Sequence, residues 1–253
     1  MCQITFIILH YKDKQATELC VQSILRMDGG KKQHILIIDN DSNEPDEVRQ
    51  LLKEQYADWD NVFVLPIYEK SGFSRANNIA YQYAKENFKQ DFILMCNNDI
   101  EFTQKDSIKR IENIYKDTRF SVLGPNVIRR GTGERQNPMD TQIRNLKQTD
   151  YTIHMNQFAL KYFDMVYPIL YWHEKILDKR RMKNKAKNRE FYEKRHENIV
   201  PFGACLIFSK DYFDNHTLAF FPETNFFYEE YILAYQCKKE GYRIIYDPSL
   251  VIM

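Results

Sequence analysis

Short apolar, β-branched runs that alternate with helical patterns and stop on polar clusters leave this chain few ways to fold. Ile4–Leu9 is the first such run, and the polar loop His10-Tyr11-Lys12-Asp13-Lys14 ends it. His34–Ile38 is the second and stops on Asp39-Asn40-Asp41-Ser42-Asn43; Phe92–Cys96 stops on Asn97-Asn98-Asp99. Their length and composition suit buried strands. Leu19, Ile24 and Leu25 recur at helical spacing over residues 15–27, which Gly29-Gly30 closes, and a helix over Asp46–Gln55 leads to a strand over Val62–Ile67. Such alternation predicts a mainly parallel sheet with right-handed crossovers. Ligands of an open α/β sheet gather outside the carboxyl ends of its strands, so Asp39 and Asp99 should share one edge of a crevice. Asn97-Asn98-Asp99 can cap a strand and open a turn. It can also hold a divalent cation against phosphate, and a second acidic strand end favours that reading.

Bulk properties narrow the class. The 253 residues suffice for one large α/β domain or two small ones, and a formal net charge of +1 advertises no nucleic-acid partner. Seventeen Tyr and seventeen Phe against eight Gly and eight Pro describe a folded chain with adhesive clefts. Cys2, Cys20, Cys96, Cys205 and Cys237 form no CxxC pair, and several sit in apolar runs, as buried thiols of a reducing compartment would. The first residues read as a strand, not a secretory leader, and no run approaches the ~18 apolar residues of a membrane span. The expected location is cytoplasmic or peripheral, on the inner face of the cytoplasmic membrane.

Gly72-Phe73-Ser74-Arg75 opens a further helix, with Ser74 as a candidate N-cap and free N–H groups able to face an anion. Arg75 is unfavourable beside the positive end of that helix unless it serves a ligand or an acidic neighbour. Residues 158–177 are dense in aromatics, and nine Lys and Arg follow between Lys179 and Arg195. Two readings stay open there: an amphipathic hairpin with a solvated charged face, or an interfacial element seated on anionic lipid. Strand character returns over Pro201–Phe208, where Gly203 permits close backbone approach. A helix over Tyr231–Glu240, stopped by Gly241, precedes a last strand over Tyr242–Ile252.

Four segments, Phe6–Tyr11, Ile37–Ser42, Gly72–Asn78 and Leu94–Asp99, occur in an order and spacing that resemble family 2 glycosyltransferases of the glycosyltransferase A fold. The nearest likeness is to rhamnosyltransferase-like enzymes of bacterial surface polysaccharide assembly. Val122–Ile128, Gly131, Gly133 and Gln136 fit the same pattern, which covers residues 1 to about 138 and resumes near 199. The resemblance implies one domain: a nucleotide-sugar-binding half (1–138), a helical insertion (139–198) and an acceptor or catalytic half (199–253). Asp39 resembles the carboxylate that reads the nucleotide base. Arg75 and Asn78 fall in the segment lining the donor, and His10, Tyr11, Asp41, Gly72 and Phe73 complete that wall with Asn97 and Asn98. Asp99 stands where a DxD-type motif holds Mn2+ or Mg2+ and the diphosphate. His10 replaces a more usual Asn, and Asn97-Asn98-Asp99 keeps one carboxylate, so the cation would rest mainly on Asp99, phosphate and water. Relatives run past the last strand into a metal-binding histidine, whereas the sequence given stops at Met253.

The family's aromatic-aromatic-x-Glu-Asp signature appears as Phe226-Phe227-Tyr228-Glu229-Glu230. By resemblance Glu230 is the general base and Glu229 orients the acceptor. Direct displacement with inversion needs a base for the attacking hydroxyl and a cation for the leaving diphosphate. The expected donor is a UDP- or dTDP-sugar rather than a GDP-sugar, and the expected acceptor a glycan or lipid-linked sugar. A nucleotidyltransferase would want a basic Gly-rich loop after the first strand, where His10–Lys14 supplies none. A non-catalytic sugar-nucleotide-binding scaffold is the other rival.

Overall fold

A computed structural model of the chain describes residues 2–40, 54–67, 71–143, 190–224 and 228–253. The apolar runs become β1 (Ile4–His10), β2 (His34–Asp39), β3 (Val62–Pro66) and β4 (Phe92–Asn97), with α1 (Lys14–Leu25) and α2 (Phe73–Asn87) between them. Next come α3 (Ser107–Thr118), β5 (Val122–Val127), β6 (His196–Glu197), β7 (Cys205–Ser209), α4 (Lys210–Asn215), α5 (Glu229–Glu240) and β8 (Ile244–Ile252). The eight strands form one mixed sheet in the order β3-β2-β1-β4-β7-β5-β8-β6. Parallel pairing joins β1 to β2 and β4, β2 to β3, and β5 to β8. The predicted α/β architecture with a mainly parallel core is therefore present. The later strand β7 runs antiparallel between β4 and β5.

Period-two patterning sends alternate residues of each strand to opposite faces. Ile4, Phe6 and Ile8 join Cys20, Val21 and Ile24 of α1 and Ile108, Ile111 and Ile114 of α3 in one buried cluster. On the other face Phe208 meets the rings of Tyr81 and Tyr212 at 5.9 and 5.3 Å. Burying each such side chain contributes about 1.5–3 kcal/mol.

Several element ends differ from expectation for tertiary reasons. His10 is the last residue of β1, not part of the loop, because it pairs in register with Asp39 and is fully buried. Helix α1 closes at Arg26, ahead of Gly29-Gly30, and a 3-10 turn over Gly30–Lys32 follows. A hydrogen bond from Asp28 N to Lys105 O pulls the chain out of the helix there. Helix α2 is capped by Gly72, not Ser74, whose buried hydroxyl is 2.7 Å from Thr224 Oγ1. Residues 201–204 stay outside β7, held by Phe202 N donating to Asn137 Oδ1 at 3.1 Å. Helix α5 starts two residues early, at Glu229, and ends on Gly241 at φ 81°, a conformation that favours glycine.

The chain divides into two compact units, Met1–Gln142 with Arg195–Met253, and Ile143–Lys194. In the second, residues 190–192 are helical, and Glu190 pairs with Lys194 at 2.6 Å. The hairpin and lipid readings of 158–195 fall almost wholly outside the described residues, as does the helix expected over Asp46–Gln55 save its last two positions. No described helix is long and apolar enough to cross a membrane.

Candidate active site

Parallel pairing brings the carboxyl ends of β2, β1 and β4 side by side. His10 lies opposite Asp39 and Leu9 opposite Asn97, so Asp39, His10 and the Asn97–Asp99 turn follow one another along a single sheet edge. Asp39 and His10 are fully buried, whereas Asp99 is exposed. The Asp99 carboxylate makes no hydrogen bond or ion pair among the described residues. Beside it opens a cavity of about 470 Å³, lined by Asn97, Asp99, Glu101, Arg130, Phe202 and Met253 among others. Glu101, which the sequence reading passed over, pairs there with Arg130. Its backbone exchanges hydrogen bonds with Met253 at 2.5 and 3.0 Å.

Tyr11 stands half exposed in the loop after β1. Gly72, Phe73 and Arg75 begin α2, with Arg75 exposed, while the Phe73 ring turns to Phe220 at 5.5 Å. Asn78 points inward. Its Oδ1 accepts from Ala219 N and Phe220 N at 2.9 and 3.0 Å, and its Nδ2 donates to Phe220 O at 2.8 Å. That amide is committed to pinning α2 against the 219–220 loop. Asp41 lies outside the described residues.

Glu229 and Glu230 open α5, where negative charge suits the helix dipole. They differ in surroundings. Glu229 is 2% exposed, and its Oε1 lacks a hydrogen-bond partner; Glu230 is only partly buried. Burial pushes the Glu230 carboxyl above the ordinary carboxylate range, and the Glu229 charge adds to this. Main-chain N–H groups of Glu230 itself and of Gly203 act in the opposite direction.

The approach to Gly203 leaves no room for a side chain while Glu230 keeps its place. A Cβ there would lie 2.1 Å from Glu230 Oε1. Gly203→Ala should therefore push the carboxylate aside, and because that carboxylate ends a flexible side chain, the fold should survive. The expected result is a large loss of turnover with the melting temperature within a few degrees of wild type. A Gly203→Ala protein with full activity would show that the Glu230 position is irrelevant to the chemistry.

Asn137, also missed in the sequence, holds this segment. Its buried side chain donates to Pro125 O at 2.7 Å and accepts from Phe202 N, tying β5 to the residue before Gly203. Ala204 O in turn accepts from Asn97 N at 3.0 Å. One short path, Asp99–Asn97–Ala204–Gly203–Glu230, thus joins the two carboxylates that the sequence kept 131 positions apart.

Residues 5–216 match the family described as Glycosyl transferase family 2. The chain belongs to that family. Among curated proteins it is 22% identical over 146 residues to the low-salt glycan biosynthesis hexosyltransferase Agl10 of Haloferax volcanii, covering 56% of this chain and 43% of that one. This family 2 chain thus spans less than half the length of that relative. Of solved structures, GalNAc-T7 with UDP, GalNAc and Mn2+ superposes with a TM-score of 0.63 at 14% identity, over 99% of this chain and 43% of the other. The mannosyltransferase PcManGT of Pyrobaculum calidifontis, with GDP-Man and Mn2+, gives 0.57 at 14% identity, over 98% and 55%. At such identities the likeness shows a shared fold.

Proposed function

We propose that this family 2 protein transfers a sugar from a nucleoside-diphosphate donor to a hydroxyl of a glycan or lipid-linked acceptor, inverting the anomeric centre. The observation that carries this reading is the short path from the exposed Asp99 to the half-buried Glu230. The acceptor oxygen bonds to the anomeric carbon, and its proton passes to the Glu230 carboxylate. The bond from that carbon to the diphosphate oxygen breaks, and its electron pair leaves with the nucleoside diphosphate. A base that is easier to protonate than an ordinary carboxylate suits the task. Glu229, with a buried oxygen lacking a partner, offers an acceptor for a substrate hydroxyl.

The donor set fits a hard divalent cation, Mn2+ or Mg2+. Asp99 would hold it, and since no three His, Cys, Asp or Glu side chains cluster for a metal among the described residues, donor phosphate and water would complete the shell. When bound, such a cation supplies Lewis-acid neutralisation of the departing diphosphate. Asp39, His10, Tyr11 and the Gly72–Arg75 turn are the donor-facing wall of the site in this reading.

A thermal-shift panel of UDP-, dTDP- and GDP-sugars, each with and without Mn2+, tests the assignment. Ligand that binds only the folded state raises the melting temperature. The expected result is stabilisation that needs both Mn2+ and a nucleotide, strongest for a UDP- or dTDP-sugar, and lost in Asp99→Ala. No shift with any donor would sink the transferase reading and leave a scaffold.

A further inference from the structure

One hydroxyl beneath the Asn97–Asp99 turn is engaged on every side. Thr17, in the first turn of α1, is fully buried. Its Oγ1 lies 3.1 Å from Asp13 O, 3.1 Å from Asn98 Nδ2 and 2.6 Å from His10 Nδ1. Asn98 Nδ2 also donates to Asp13 O at 3.1 Å. Asp13 in addition caps α1, its Oδ1 accepting from Ala16 N at 3.0 Å.

The chemistry of these groups fixes their orientation. A backbone carbonyl can only accept, so the Asn98 atom facing Asp13 O must be the nitrogen. Flipping the amide would set two oxygens against each other. Nδ2 thus serves Asp13 O and Thr17 Oγ1 together. The carbonyl oxygen of the same amide is turned away from both acceptors, and among the described residues it has no hydrogen-bond partner. A hydroxyl offers one proton and two lone pairs. With its proton on Asp13 O, Thr17 accepts from Asn98 and from His10, which places the His10 proton on Nδ1. That is the arrangement in which every contact around the hydroxyl is satisfied.

We infer that Thr17 is a positioning residue that locks the Asn98 amide so that its Oδ1, one residue along the chain from Asp99, serves as a second hard oxygen for the divalent cation. The inference rests on the cation site proposed above and adds to it. The single carboxylate of Asn97-Asn98-Asp99 is supplemented by an amide oxygen that the α1 N-terminus holds in place. Loss of a group that orients a ligand typically weakens metal binding by about ten- to a hundredfold.

The test is a Mn2+ titration of the full chain, followed by the electron paramagnetic resonance signal of free Mn2+, with UDP present and, in a parallel series, GDP. Thr17→Val keeps the shape and removes the hydroxyl; it should weaken Mn2+ about tenfold or more. Thr17→Ser should restore wild-type affinity. Asn98→Ala should match Thr17→Val while leaving the contact between Thr17 and His10 intact, so the question stays open to measurement if the valine variant folds poorly. Wild-type affinity in Thr17→Val or Asn98→Ala, or equal weakening in Thr17→Val and Thr17→Ser, would overturn the inference and leave the cation site standing. A wild-type chain that takes up no Mn2+ with either nucleotide would remove the cation site and the inference together.

Discussion

Glu230→Gln should lower kcat by about 10²- to 10⁴-fold, the usual worth of a positioned general base, while the stabilisation by nucleotide and Mn2+ persists. Glutamine keeps the size of the side chain and its place against Gly203 but cannot take the acceptor proton. Stability should move the other way. The folded-state pKa of Glu230 lies above its unfolded value because the carboxyl is buried, so its favourable contribution is complete below the unfolded pKa and is lost as pH rises through the folded one. At neutral pH the variant should thus melt no lower than wild type, and any advantage should vanish in acid. For the same reason wild-type kcat/KM should climb through a midpoint above the ordinary carboxylate range, and Glu230→Gln should abolish that limb. Turnover within tenfold of wild type would place the base elsewhere.

The largest loss of stability should come from Asn78→Ala. The substitution strands Ala219 N, Phe220 N and Phe220 O, which now share one buried amide. An unsatisfied buried polar group costs about 1–3 kcal/mol, so a total of about 3 kcal/mol is a restrained expectation. For a domain of this size that lowers the melting temperature by about 6–12 °C. Asn78→Asp should fail as well, since a carboxylate cannot donate to Phe220 O. The pairing separates two roles for a residue that the family pattern assigns to the donor wall. A side chain that served the donor would raise donor KM at constant melting temperature. One that pins α2 to the 219–220 loop lowers the melting temperature first, and any change in KM follows from the loop.

Local chemistry made much of this protein legible in advance. The β-branched runs at Ile4, His34 and Phe92 become strands because their pattern suits burial on both faces, which needs no knowledge of distant residues. Their ends mark the sheet edge because a buried run must stop where polar side chains begin, and that rule places Asp39 and Asp99 on one side. Helix α5 and its paired acidic residues were visible for a similar reason, since Glu229 and Glu230 favour a first turn and Gly241 a last one.

Tertiary structure decided the rest, where the deciding contacts span long stretches of chain. Ser74 looks like a cap in the sequence, yet Thr224 claims its hydroxyl from 150 residues away. Asn78 belongs to a turn that suggests a ligand, and its amide is spent on residues 141 and 142 positions later. Thr17 carries no signal in the sequence, since one threonine on a helix resembles any other until β1 and β4 bring His10 and Asn98 against it. Gly203 could be read as room for an approach, but only the fold shows that Glu230 makes it. Periodicity reports which face of an element is buried. It cannot report which polar atom will be waiting there, because that depends on the packing of segments that the chain joins only when the sheet closes.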